Sequence, residues 1–222
     1  MIRFHFITLF PDACDAYLSA SILGRARKEK HISVDYQTPR DYVDNRWGKV
    51  DERPYGGGPG MVMTALPVLR AVKKSLARRL KKDGSSKIAL VWFSPGGTEF
   101  TNKEADKLLK YDDVVLVCGR YEGIDERAKK GLKAFGTVKN YSVGSATYTG
   151  AEVPAMAIVD AVTRRIPGVL GKDESVEERR VAAREVYTRP EALEWEGKTY
   201  RIPKVLAGGN HAEIEKWKKR KG

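Results

Sequence analysis

Over its first two thirds the chain switches repeatedly between a two-residue and a near-four-residue apolar period. Residues 2–9 alternate branched and aromatic side chains and predict a strand. Pro11 and Asp12 open a helix whose Cys14, Leu18 and Ile22 share one face. Residues 31–36 return as a second strand, and Leu69, Val72, Leu76 and Leu80 predict an amphipathic helix over residues 66–82. A buried strand is expected at residues 88–93. Thr101 with Glu104 forms a capping-box signature for the helix that follows. Val114 to Val117 is an unbroken apolar run, Ile124, Ala128 and Leu132 mark another helix face, and residues 155–162 form an apolar helix. Asn210 and Glu213 sit in capping positions before a short terminal helix. Strands alternating with helices predict an α/β domain with a mostly parallel sheet.

The central run, residues 114–127 (VVLVCGRYEGIDER), organises the rest. A continuous apolar stretch bounded by glycine predicts a strand covered on both faces, and ligands of open α/β sheets bind beyond the carboxyl ends of the strands. Arg120, Tyr121 and Glu122 fall at that place. The plainer alternative is a surface turn in which Arg120 and Glu122 pair with each other. Residues 39–61 have no period and many turn formers, and Gly56, Gly57, Gly58 and Gly60 make their end pliable. Trp47, Tyr55 and Met61 suit a loop that docks on something. The stretch lacks the Gly-Lys-Ser/Thr ending of a phosphate-binding loop, and no Gly-x-Gly-x-x-Gly follows a strand, which argues against nucleotide hydrolysis and against an ordinary dinucleotide site. Residues 142–154 form a second loop of small residues.

Composition narrows the partner. The 222 residues suit one medium domain with a small appendage, and a net charge of +12 favours a polyanion, nucleic acid first and an anionic membrane surface second. Cys14 and Cys118 are far apart in apolar settings, and with three histidines no zinc constellation is available. The amino terminus, interrupted by Arg3 and His5, does not read as a signal peptide, and no apolar run approaches a membrane span. A reduced, cytoplasmic protein without membrane association is expected. Residues 172–189 are charged without an apolar stripe and read as a linker.

Six ordered motifs go further. They are residues 53–61 (RPYGGGPGM), 94–97 (SPGG), 118–127 (CGRYEGIDER), 166–171 (IPGVLG), 187–190 (YTRP) and 209–214 (GNHAEI). Together they resemble the bacterial tRNA (guanine-N1)-methyltransferases of the SPOUT superfamily, which modify guanosine 37 beside the anticodon, over essentially the whole chain. The resemblance implies a SPOUT-type parallel sheet with a deep trefoil knot, plus a short, truncated helical carboxyl-terminal extension. It implies a knotted cofactor domain at residues 1–171, a linker at 172–186 and a tRNA-binding extension at 187–222. It also implies a homodimer with the active site at the subunit interface, acting on tRNA with S-adenosylmethionine as cofactor. Carried over by motif, the cofactor positions are Pro95, Gly97, Gly119, Tyr121, Glu122, Val143, Gly144, Tyr148, Gly150 and Pro154. Arg164 matches the family's helix-end arginine, which would stabilise charge developing on guanine O6.

The family's linker aspartate, the base for the N1 proton, has no counterpart here; its position falls on Arg179. Glu178 is the carboxylate expected to replace it, with Glu177 next. Ser145-Ala146 and Gly150-Ala151 stand where the family has an Asp-Tyr pair and a Gly-Gly, and the Ala151 methyl would crowd the cofactor. The chain stops soon after Trp217, so most of the family's helical carboxyl-terminal domain is expected to be missing. Magnesium is associated with the family, yet no ligand cluster for it is recognisable. Two alternatives remain: an RNA-binding homologue with weak or no activity, and a SPOUT methyltransferase with another RNA target.

Overall fold

Alternate residues of the central strands enter two different cores, and that alternation is what stacks the domain in three layers. The computed structural model of the protein describes residues 1–80, 86–170 and 185–219. It divides into two units, Met1–Val169 and Leu170–Gly222. The first begins β1 (Ile2–Ile7), α1 (Pro11–Leu18), α2 (Ser21–Lys28) and β2 (Ile32–Gln37). A 3-10 turn, Pro39–Tyr42, leads to a small antiparallel pair, β3 (Asp51–Glu52) and β4 (Val62–Met63). Then follow α3 (Ala65–Ser75), α4 (Ala77–Leu80), β5 (Ile88–Glu99), α5 (Asn102–Leu108), β6 (Asp113–Val117), α6 (Glu126–Leu132), β7 (Thr137–Ser142) and α7 (Glu152–Thr163). Five strands form one parallel sheet in the order β2-β1-β6-β5-β7.

Phe4, Phe6, Val91, Val114 and Leu116 pack with α1, α2, α5 and α7 on one side of the sheet. Ile7, Leu90, Val115 and Val117 pack with α3 and α6 on the other. Every residue of β6 is buried, as its continuous apolar run predicts for a strand covered on both faces.

The local expectations fail at three places. The first helix breaks at Ser19 and Ala20, so Ile22 falls in a second helix and is 40% exposed. Gly24 permits the break, because a Cβ there would run into the Ser19 carbonyl. The helix expected over residues 66–82 divides at Leu76, and Leu80 turns outward. The turned segment brings Arg79 Nε to 3.6 Å from Asp113 Oδ1. The Thr101–Glu104 capping box does not form. Glu104 is drawn away, accepting from Tyr141 Oη at 2.9 Å and from Lys107 Nζ at 2.6 Å.

A buried charge cluster ties β1 to both neighbours. Arg3 donates to both Asp113 oxygens at 2.7 Å. His5 lies between Asp113, 2.9 Å from Nε2, and Asp35, 2.7 Å from Nδ1. Burial disfavours a charged His5 ring, but the two carboxylates, Asp113 and Asp35, outweigh it and raise the pKa. Burial likewise opposes the charged form of Asp113, yet Arg3 and His5 hold its carboxyl well below the usual range.

The second unit holds a hairpin, β8 (Ala192–Trp195) with β9 (Lys198–Arg201), then α8 (Lys204–Ala207) and α9 (His211–Lys218). A short helical extension was expected; the two helices are preceded by a hairpin, where Glu196 (φ 49°) and Gly197 (φ 73°) turn the chain as a two-residue loop. Asn210 caps α9 as predicted, accepting from the amides of Ala212 and Glu213. Among the described residues no helix is long and apolar enough to cross a membrane.

Candidate active site

At the carboxyl ends of β5, β6 and β7 the chain forms a cleft of about 1480 Å³. Three loops and the segment between β3 and β4 build it. The first is extruded from within β5: Phe93 and Thr98 both register with Tyr141 of β7, so residues 94–97 bulge out between them. Gly97 sits against the β7 backbone, where an added Cβ would lie 2.6 Å from the Tyr141 carbonyl carbon.

The second loop follows β6 and is fastened on both sides. Tyr121 and Ile124 form bridges to Val62 and Met63. The Met63 amide donates to the Gly123 carbonyl, and the Asp125 amide to the Met63 carbonyl, both at 2.9 Å. On the other flank Arg120 bridges Gly150, and the Ala151 amide donates to the Gly119 carbonyl at 3.0 Å. Tyr121 is held at φ 59°, uncommon for a residue with a side chain, in a loop clamped from both sides. The apolar run of β6 therefore ends in a knuckle that joins the β3–β4 segment to the third loop.

Arg120 does not pair with Glu122. Its Nε lies 3.0 Å from Glu152 Oε2, and its guanidinium stacks on Phe10 at 4.4 Å. Glu152, buried at the start of α7, also accepts from Thr8 Oγ1 at 2.8 Å. Thr8 in turn accepts from the Phe10 amide at 3.0 Å. This network connects the end of β1 to the second and third loops. Glu122 is thereby left exposed in the cleft, and among the described residues it has no ion-pair partner. Its carboxylate lies over Gly60, where an added Cβ would come within 2.6 Å of Oε1.

Pro95, Gly119, Tyr121, Glu122, Val143, Tyr148, Gly150 and Pro154 all line the cleft. Gly97 and Gly144 stand behind the lining. Gly144 turns the third loop at φ 73°, and Tyr148 donates to the Val143 carbonyl at 3.2 Å to close it. Ala151, expected to crowd a ligand, lines the cleft while 7% exposed. Arg164 is at the far end of α7, away from the lining and roughly 18 Å along the helix from Glu152 at 1.5 Å per residue. Glu177, Glu178 and Arg179 lie outside the described residues.

Sequence reasoning missed Glu152 and Thr8. No local pattern marks a buried carboxylate at a helix start; the signal was only that an acid opens a mostly apolar helix. Both cysteines are free and buried beneath this region. Burial pushes the Cys14 thiol up to about 12 and the Cys118 thiol well above its ordinary value, with Glu152 adding to both. Neither cysteine reaches the lining of the cleft. Among the described residues no group of three or more His, Cys, Asp or Glu side chains is placed to hold a metal ion.

A parallel sheet covered on both faces, with a ligand cleft walled by loops at its carboxyl edge, defines an α/β protein built to hold a small molecule. Residues 2–222 match the family described as tRNA (Guanine-1)-methyltransferase TrmD, and the chain belongs to that family. It is 40% identical to the tRNA (guanine-N(1)-)-methyltransferase of Lachnospira eligens, covering 98% of this chain and 89% of that one. The same-named protein of Dictyoglomus turgidum is 38% identical over 99% of this chain and 84% of its own length. That of Buchnera aphidicola is 36% identical, over 98% and 88%.

Proposed function

We propose that the protein transfers a methyl group from S-adenosylmethionine to N1 of guanosine 37 in tRNA, beside the anticodon. Family membership supports the reaction. The observation that carries the reading for this chain is the cleft, whose walls are the same loops that the motifs single out. The residues present fit the cofactor. Glu122 offers an exposed carboxylate to a ligand bearing a sulfonium and an ammonium, and Tyr121 and Tyr148 offer rings to a base. Pro95, Gly119, Val143, Gly150 and Pro154 complete the proposed lining, with Gly97 and Gly144 shaping the loops behind it.

Bound there, the cofactor supplies an electrophilic methyl. The chain's own tasks are to hold guanine in line with it, accept the N1 proton and stabilise charge on O6. Arg164 is the proposed O6 partner and Glu178 the proposed base. Because Arg164 stands away from the cleft of its own chain, the reading includes a homodimer in which the second subunit completes the site. It also includes a trefoil knot within residues 1–171, a linker at 172–186, a tRNA-binding extension at 187–222 and a cytoplasmic setting. No step is assigned to magnesium. A second reading, an RNA-binding homologue without transfer, draws on Arg179 standing where the family has its aspartate.

Incubation with labelled S-adenosylmethionine and unmodified tRNA carrying guanosine at positions 36 and 37 is expected to label the RNA. Cofactor binding without transfer would establish the second reading. Arg164→Ala is expected to lower kcat about 10²–10³-fold with cofactor affinity unchanged. Unchanged kcat removes Arg164 from the mechanism.

A further inference from the structure

The positive charge of this chain is not concentrated where the chemistry is proposed. Of the ionisable residues lining the large cleft, Lys49, Arg53, Arg120 and Arg127 are balanced by Glu52, Glu122, Asp125 and Glu126. Several of these cations are already engaged, Lys49 with Glu52, Arg120 with Glu152 and Arg127 with Asp125. The excess that gives +12 must face a polyanion elsewhere.

At the opposite end of the sheet, by the amino ends of β5 and β7, a second cleft of about 760 Å³ is lined by Lys87, Lys107, Lys110, Lys133 and Lys139, with no acidic residue in its lining. Lys107 is paired with Glu104, whose carboxylate also feels the charge of Lys139; among the described residues Lys87, Lys110 and Lys133 have no ion-pair partner. Helix-end complementarity accounts for Lys110 after α5 and Lys133 after α6. It does not account for Lys87, which precedes β5, or Lys139, which lies on β7. Four elements converge to place like charges around one concavity, an arrangement that costs electrostatic energy unless an anion shares it.

We propose that this lysine cleft is a second RNA contact, holding backbone phosphates of the tRNA substrate outside the loop that carries the target guanine. This rests on the tRNA reading above. The two clefts are separated by the length of the strands, about 20 Å for six residues. An RNA that reaches both must therefore extend well beyond its target loop. Phosphate contacts position a nucleic acid without reading its sequence, and lysine ammonium groups suit that task.

The test titrates the full chain, and a variant carrying Lys87→Gln, Lys110→Gln and Lys133→Gln, into fluorescent full-length tRNA across a range of KCl. All three side chains are exposed, so the variant is expected to fold; a Lys→Arg counterpart at the same positions controls for charge. The proposal expects the slope of log affinity against log salt to become shallower by about 1 for each lysine that meets a phosphate. It expects affinity to fall about tenfold or more at low salt, with the arginine variant retaining it. An isolated anticodon stem-loop is expected to bind parent and variant equally, and S-adenosylmethionine affinity is expected not to change. Equal slopes and affinities on full-length tRNA overturn the proposal. So does an equal loss on the stem-loop, or binding of inorganic phosphate in the cleft with the tRNA slope unmoved. If the parent protein transfers no methyl group, the transferase reading fails while the salt slopes still decide the cleft.

Discussion

Glu152→Ala tests whether the Arg120 bridge holds the walls of the cleft together. The substitution leaves the Thr8 hydroxyl without its acceptor and the Arg120 guanidinium without its counter-charge. Breaking a fully buried ion pair costs about 3–5 kcal/mol, and an exposed one is worth at most about 1 kcal/mol. Glu152 is 4% exposed but the Arg120 side chain is 26% exposed, so water screens one partner. An intermediate cost of about 2–3 kcal/mol is therefore expected for the pair, with about 1 kcal/mol more for the orphaned hydroxyl. Glu152→Gln keeps the volume and an acceptor for Thr8, and is expected to cost about 1–2 kcal/mol. Urea unfolding at neutral pH reads both values. Calorimetric titration with S-adenosylmethionine reads the site, where Glu152→Ala is expected to weaken binding at least about tenfold because it unties Gly119 and Gly150 together. A Glu152→Ala protein within about 0.5 kcal/mol of the parent, with unchanged cofactor affinity, would refute the reasoning.

Four further outcomes are expected. Gly97→Ala drives a methyl into the β7 backbone at Tyr141 and is expected to cost about 1–3 kcal/mol and abolish cofactor binding; wild-type titration curves would contradict the close packing. The raised pKa of His5 means the folded protein holds that proton more tightly than the unfolded chain. Its stabilisation is complete below about pH 6.5 and is lost as pH rises through the folded value. Urea midpoints measured from pH 6 to 8 should therefore fall in the parent and fall less in His5→Gln, and parallel slopes would exclude a protonated ring. The lowered pKa of Asp113 acts in the opposite window, its contribution being present above about pH 3.9 and lost as acid protonates the folded carboxyl. Cys14 and Cys118 are expected to resist thiol reagents in the native protein at pH 8 and to react after unfolding; rapid native labelling would show that the region beneath the cleft opens.

The central strand and its ligand turn were legible because both are local. Val114 to Val117 carries its burial in its own composition, and Gly119 and Gly123 frame the turn. The positions carried over by motif mostly meet in one cleft, since the motifs lie at successive strand ends. The Arg120–Glu152 bridge joins residues far apart in sequence, and Thr8 is farther still, so no window of residues contains it. The same limit explains the failed capping box, where a tyrosine on β7 competed for Glu104. The helix break at Ser19 depended on a close approach to Gly24 that periodicity does not register. In the hairpin of the second unit, Glu196 adopts positive φ beside Gly197, a conformation its residue type does not announce.

The loop extruded from β5 leaves and rejoins the sheet opposite the same residue, Tyr141. Its two ends are stapled to one rung of a ladder, so the four residues between them form a loop closed at its base. The entropy of closing that loop is lost once, during folding, and is not charged again to each ligand. A molecule entering the cleft meets a preorganised rim on this side, which favours affinity by limiting the ordering that binding requires. Lengthening the loop by glycine insertion loosens the rim without removing any contact residue, and the lost affinity should appear as a less favourable binding entropy.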